Sequence, residues 1–140
     1  MIEFITEDID KVSIDLDKIQ DWLDNIIEAK SMLVGDICFI FCSDKYLLDI
    51  NIEYLNHDFY TDVITFDYCE SNIVSGDIFI SIDRIIDNSK SLSTGFTDEL
   101  LRVIVHGVLH LLGFDDKSVD DKKIMTSEED KCLKIYSDVG

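Results

Sequence analysis

Two of the three histidines in this chain, His106 and His110, stand four residues apart in the run His106-Gly107-Val108-Leu109-His110-Leu111-Leu112-Gly113-Phe114-Asp115-Asp116. On an α-helix, four residues turn about 400° and advance about 6 Å, so both imidazoles project from one face within reach of a single ion. Gly113 supplies a helix C-terminus, and the chain beyond it can return Asp115 or Asp116 as a third ligand. Two imidazoles and one carboxylate leave a coordination position of zinc open, as a catalytic site requires. The surroundings favour a metal over two ordinary core histidines. Across residues 100–112 the strongly polar side chains are Arg102, His106 and His110, set among Leu, Val, Ile and Gly. A helix this apolar is expected to be buried, where imidazoles lose hydration that a partner must replace.

Zinc in such a site lowers the pKa of water toward about 7, giving a nucleophile for phosphorus or for a carbonyl carbon. In H-E-x-x-H peptidases the residue after the first histidine is the glutamate base. Here that residue is Gly107, which argues against peptide hydrolysis. For a phosphodiester, the base can be Asp115, a non-ligating oxygen of Asp116, or a hydroxyl of the substrate itself.

The elements that must position these groups are legible from periodicity. A short strand at residues 2–5 precedes a helix capped by Asp17, with Ile19, Trp22, Leu23, Ile26, Ile27 and Leu33 at helical spacing and Gly35 closing it. Residues 37–42 read as a strand, followed by a helix capped by Ser43 or Asp44 that carries Tyr46, Leu47, Ile50, Asn51 and Tyr54. Residues 61–66 and 76–81 read as two more strands, and residues 84–91 as a helix. Thr97 is placed to cap the histidine helix, with Asp98 and Glu99 in its first turn. A last helix over residues 118–136 packs Ile124, Met125, Cys132, Leu133 and Tyr136, leaving Glu128 and Glu129 facing solvent. The expected architecture is α+β: one layered domain over residues 1–140, with a mixed sheet of about four strands and about five helices.

With 46% hydrophobic residues and no proline, the 140-residue chain can bury one core. No apolar run approaches the roughly 20 residues of a membrane span, and no secretory signal is present, so a cytoplasmic protein without membrane contact is expected. Cys38, Cys42, Cys69 and Cys132 form no C-x-x-C pair and read as small reduced hydrophobes. The net charge of −18 argues against charge-driven adhesion to nucleic acid. Lys117, Lys122, Lys123, Lys131 and Lys134 nevertheless concentrate after the histidines, either as a basic flank or as a solvated face paired with nearby acids.

Residues 106–116 resemble the signature H-G-x-L-H-L-x-G-y-D-H of the YbeY family of bacterial metal-dependent endoribonucleases. Other blocks agree in order: Asn51 in its helix, Thr61-Asp62-Val63-Ile64-Thr65-Phe66 for T-D-V-L-S-F, Gly76-Asp77-Ile78 for G-D-I, Glu99-Leu100, and Met125 with Glu128 or Glu129. The resemblance implies an α+β fold holding one Zn²⁺ by three side chains. It also implies single-strand endoribonuclease activity in ribosomal RNA maturation, at the 3′ end of the small-subunit RNA, and in ribosome quality control. The implied partners are ribosomal RNA, the small ribosomal subunit and a protein bound there. By position His106, His110 and Asp116 are the implied ligands, with Asp116 replacing the family's third histidine and Asp115 its rival one residue earlier.

A second departure lies at Leu55, where the family places a basic residue. Arg102, one turn before His106, is the candidate substitute for catalysis, unless it pairs with Asp98 or Glu99; His57 in the adjoining loop is another. Asp62 and Asp77 either order loops or touch substrate. Two other functions fit less of the pattern: an assembly or adaptor protein with a structural metal, and a metallohydrolase of another ester or amide.

Overall fold

The computed structural model describes residues 1–138. In chain order the elements are β1 (Ile2–Thr6), α1 (Leu16–Ala29), β2 (Leu33–Cys42), α2 (Asp44–Leu55), β3 (Val63–Asp67), β4 (Ile73–Ser81), α3 (Ile82–Ser91), α4 (Phe96–Leu111) and α5 (Val119–Asp138). The sheet order is β1-β2-β4-β3. β1, β2 and β4 run parallel, while β3 is an antiparallel edge, with Ile64 opposite Phe79 and Thr65 opposite Ile78. This is the expected α+β arrangement of four strands and five helices.

Alternation along the strands divides the apolar side chains between two faces. Phe39, Phe41, Val74, Ile78 and Ile80 join α1, α4 and α5 in the main core. Ile64, Phe66 and Phe79 turn the other way and pack with Leu47 and Ile50 of α2. Trp22 clamps α5 onto α1: its indole N–H donates to the Cys132 carbonyl at 2.8 Å, and its ring meets Tyr136 edge-on at 5.0 Å. Burial pushes the Cys42 thiol up to about 12 and Cys132 up to about 11, so both behave as apolar fillers.

Several boundaries differ from the sequence reading, each for a local reason. α1 is capped by Asp15, whose side chain accepts from the Lys18 N–H at 3.1 Å, rather than by Asp17. Ser31 at φ +61 ends the helix, so Leu33 opens β2 and Gly35 lies at a bulge inside that strand. Ser43, one of the two expected candidates, caps α2, whereas Ser81 caps α3 and starts it two residues earlier than expected. Thr97 lies inside α4; Gly95 is the N-cap and contributes no side-chain bond. Among the described residues no helix is long and apolar enough to cross a membrane.

α4 is the central helix, with residues 103–105 and 107–109 all buried. It approaches the sheet closely at Gly107, where a Cβ would lie 2.9 Å from Ile78 Cγ2. The position that carries a peptidase's glutamate is therefore turned into the core here. Gly107→Ala is expected to lower stability, the overpacking cost of about 1–3 kcal/mol exceeding the roughly 1 kcal/mol gained in helix propensity. Denaturant midpoints of the two proteins check this.

Candidate metal centre

His106 and His110 leave α4 on its one partly open face and direct their Nε2 atoms at the same point, 3.0 Å apart. Each ring is oriented through its other nitrogen. His106 Nδ1 donates to Glu129 Oε2 at 2.7 Å, and His110 Nδ1 donates to the Phe114 carbonyl at 2.9 Å. The Phe114 carbonyl reaches this position because Gly113, at φ +101, reverses the chain after α4. The same reversal returns Asp116, with Oδ2 at 3.4 Å from His106 Nε2 and Oδ1 at 3.8 Å from His110 Nε2.

With both Nδ1 atoms acting as donors, the two Nε2 atoms face one another, a contact satisfied by a proton or a metal ion shared between them. Donors around a tetrahedral zinc with bonds of about 2.0–2.1 Å stand about 3.3 Å apart. The 3.0 Å between the two Nε2 atoms and the 3.4 Å from His106 Nε2 to Asp116 Oδ2 lie close to that value. His106, His110 and Asp116 can thus hold a metal ion, their ligand atoms all lying within 4.8 Å of one another.

Burial draws His106 toward neutrality, but the bond to Glu129 and the charges of Glu129, Asp116 and Asp62 outweigh it and hold its proton affinity above the usual histidine range. Burial and the neighbouring His106 push His110 below that range. Glu129 is the residue the sequence reading misplaced. It is 6% exposed rather than solvent-facing, because it lies in phase with Met125, Cys132 and Tyr136 on the buried face of α5. That phase was the available signal. Glu128, also expected in solvent, is partly covered and pairs with Lys30 at 3.4 Å and Lys131 at 3.5 Å.

Arg102 pairs with neither Asp98 nor Glu99. Its guanidinium reaches across to α5, donating to Glu129 at 2.8 Å and Asp130 at 2.6 Å. Asp115 is exposed. The three candidate ligands open onto a cavity of about 490 Å³ between the β3 edge and the loop after α2, whose wall also includes Asn51, Leu55, His57, Phe59, Thr61, Asp62 and Thr65. Neither Arg102 nor Asp115 contributes to that wall, and no Lys or Arg does. A smaller hollow of about 230 Å³ lies behind His106, lined by Asp62, Glu99, Arg102 and Glu129 among others. Asp62 borders both spaces, and burial raises its carboxyl above the ordinary aspartate range.

Together these features define an α+β protein with a two-histidine, one-aspartate metal-type centre at a cavity mouth. The family model described as endoribonuclease YbeY matches residues 4–137. The chain is 42% identical over 134 residues to endoribonuclease YbeY of Parabacteroides distasonis, covering 96% of this chain and 94% of the relative. It is 47% identical over 116 residues to endoribonuclease YbeY of Flavobacterium johnsoniae, covering 83% of this chain and 84% of that one. The solution structure of TM1509 from Thermotoga maritima superposes with a TM-score of 0.71 at 28% identity, covering 97% of this chain and 89% of that one. The chain belongs to the endoribonuclease YbeY family.

Because burial raises Asp62 above 3.8, its contribution to stability is full below that pH and is lost as pH rises through its higher folded value. Asp62→Asn is therefore expected to melt at a higher temperature than the parent at pH 7 in metal-free protein, the advantage shrinking as pH falls toward about 4. Paired melting curves at the two pH values check this.

Proposed function

We propose that this chain is a zinc-dependent endoribonuclease that cuts single-stranded RNA. Its place is in maturation of ribosomal RNA, at the 3′ end of the small-subunit RNA, and in ribosome quality control. It acts in the cytoplasm with the small subunit and a protein bound there as partners, residues 1–140 working as one domain. The observation that carries this reading is the convergence of His106 Nε2 and His110 Nε2 at 3.0 Å, with both Nδ1 atoms already bonded, in a chain of this family.

His106, His110 and Asp116 are the residues that would hold the ion. The chemistry zinc supplies in such a set is Lewis-acid: activation of water at neutral pH and polarisation of a phosphoryl oxygen. Asp62, with its raised proton affinity and its place on the cavity wall, is suited to accept and return a proton at its carboxylate oxygen. This assigns to Asp62 the base role considered for Asp115, which stands exposed beside the ligands. Arg102 acts through Glu129, fixing the carboxylate that orients His106.

Phosphate oxygens meet neutral donors. Ser81 N–H donates to Asp62 O at 3.0 Å and Tyr68 N–H to Ser75 O at 2.9 Å. These bonds set the phase of the β3–β4 ladder, so Val63 and Thr65 turn their amides outward from the sheet edge. With the hydroxyls of Thr61 and Thr65 they line the space beside the ligands. A second reading, an assembly factor with a structural metal, draws on the same absence of Lys and Arg from the cavity wall.

Elemental analysis of untagged protein purified without added metal is expected to find about one zinc per chain. His110→Ala and Asp116→Ala are expected to lose that zinc and at least about a hundredfold of RNA cleavage while keeping a cooperative melt. Zinc-loaded protein that leaves single-stranded RNA intact would favour the assembly factor. Undiminished cleavage by a metal-free His110→Ala protein would overturn the catalytic assignment.

A further inference from the structure

We infer that Phe59, stacked on His57, is a platform for an unpaired base of the RNA next to the cleaved phosphate; this rests on the reading of the cavity as an RNA-cleaving site. The loop from residue 56 to residue 62 is built rather than loose. Asn56 at φ +55 ends α2 and turns the chain back. Asn51, 2% exposed, then ties the loop at two points: its carbonyl accepts from the His57 N–H at 3.1 Å, and its side-chain amide donates to the Phe59 carbonyl at 2.9 Å. A buried asparagine thus holds His57 and Phe59 in place from below.

Their rings lie 5.1 Å apart and 20° from parallel, both on the wall of the cavity that contains His106, His110 and Asp116. Phe59 is nevertheless 56% exposed. A large apolar ring fixed in place, backed by an imidazole and left open beside a polar site has the form of a surface on which a flat, weakly polar group stacks. Nucleobases are such groups, and every base offers a π face, so the platform selects single strands rather than sequence. A duplex keeps its bases stacked on one another and presents none. Stacking also supplies what charge does not, because the cavity wall has no Lys or Arg.

The test uses the full zinc-loaded chain and a short fluorescent single-stranded RNA, measuring cleavage kinetics and binding by anisotropy. Phe59→Ala is expected to raise KM and Kd about tenfold with kcat, zinc content and melting temperature little changed, and Phe59→Trp to restore both constants. Removing the base beside the cleaved phosphate from the RNA is expected to erase the difference between the parent and Phe59→Ala. Equal KM and Kd for the parent and Phe59→Ala, or a loss that Phe59→Trp does not restore, would overturn the platform even where cleavage is robust. RNA bound in a Phe59-dependent manner but not cut would instead overturn the cleavage reading and leave the platform standing.

Discussion

Two imidazoles on a buried helix must each satisfy the ring nitrogen that faces the protein, and the centre depends on how this is done. Glu129 accepts a hydrogen bond from His106 Nδ1 and the Phe114 carbonyl accepts one from His110 Nδ1. Once these bonds form, tautomer and ring direction follow, and both Nε2 atoms point at one place. The partners arrive by unrelated routes. One is a carboxylate from α5, the other a backbone carbonyl placed by the glycine turn that ends α4. An ion pair from Arg102 fixes the carboxylate in turn, so α4 and α5 are joined by the same contacts that orient the ligands.

The helix that carries the histidines is also the helix the sheet is packed around. Gly107 lets it lie close against Ile78 of β4. A peptidase glutamate has no room at this position. On the cavity wall it is Asp62 that combines a place beside the ligands with a raised proton affinity.

An acidic protein faces a difficulty in holding an acidic polymer. A net charge of −18 repels RNA at distance, and the cavity wall carries no cation to offset it. What it offers instead is short-ranged: outward amides on the sheet edge, threonine hydroxyls, and a fixed aromatic pair. Such contacts act only once the strand is in place, and none of them attracts RNA from a distance.

The helical spacing of His106 and His110, the glycine stop and the following aspartate were legible in the sequence, because they depend on backbone geometry within eleven consecutive residues. So were the existence and order of the strands and helices, through alternation and the 3.6-residue period. Caps and ends were less secure: Asp15 and Ser31 act through single side-chain bonds or single φ angles that several neighbours could equally have supplied. Glu129 was misread because a glutamate on a mixed-charge helix looks solvated until the histidine and arginine that neutralise it are brought to it by packing. The removal of Arg102 from the cavity and the pairing of His57 with Phe59 were likewise decided by tertiary structure. Local periodicity determines which face a residue lies on; only the approach of distant segments determines what that face meets.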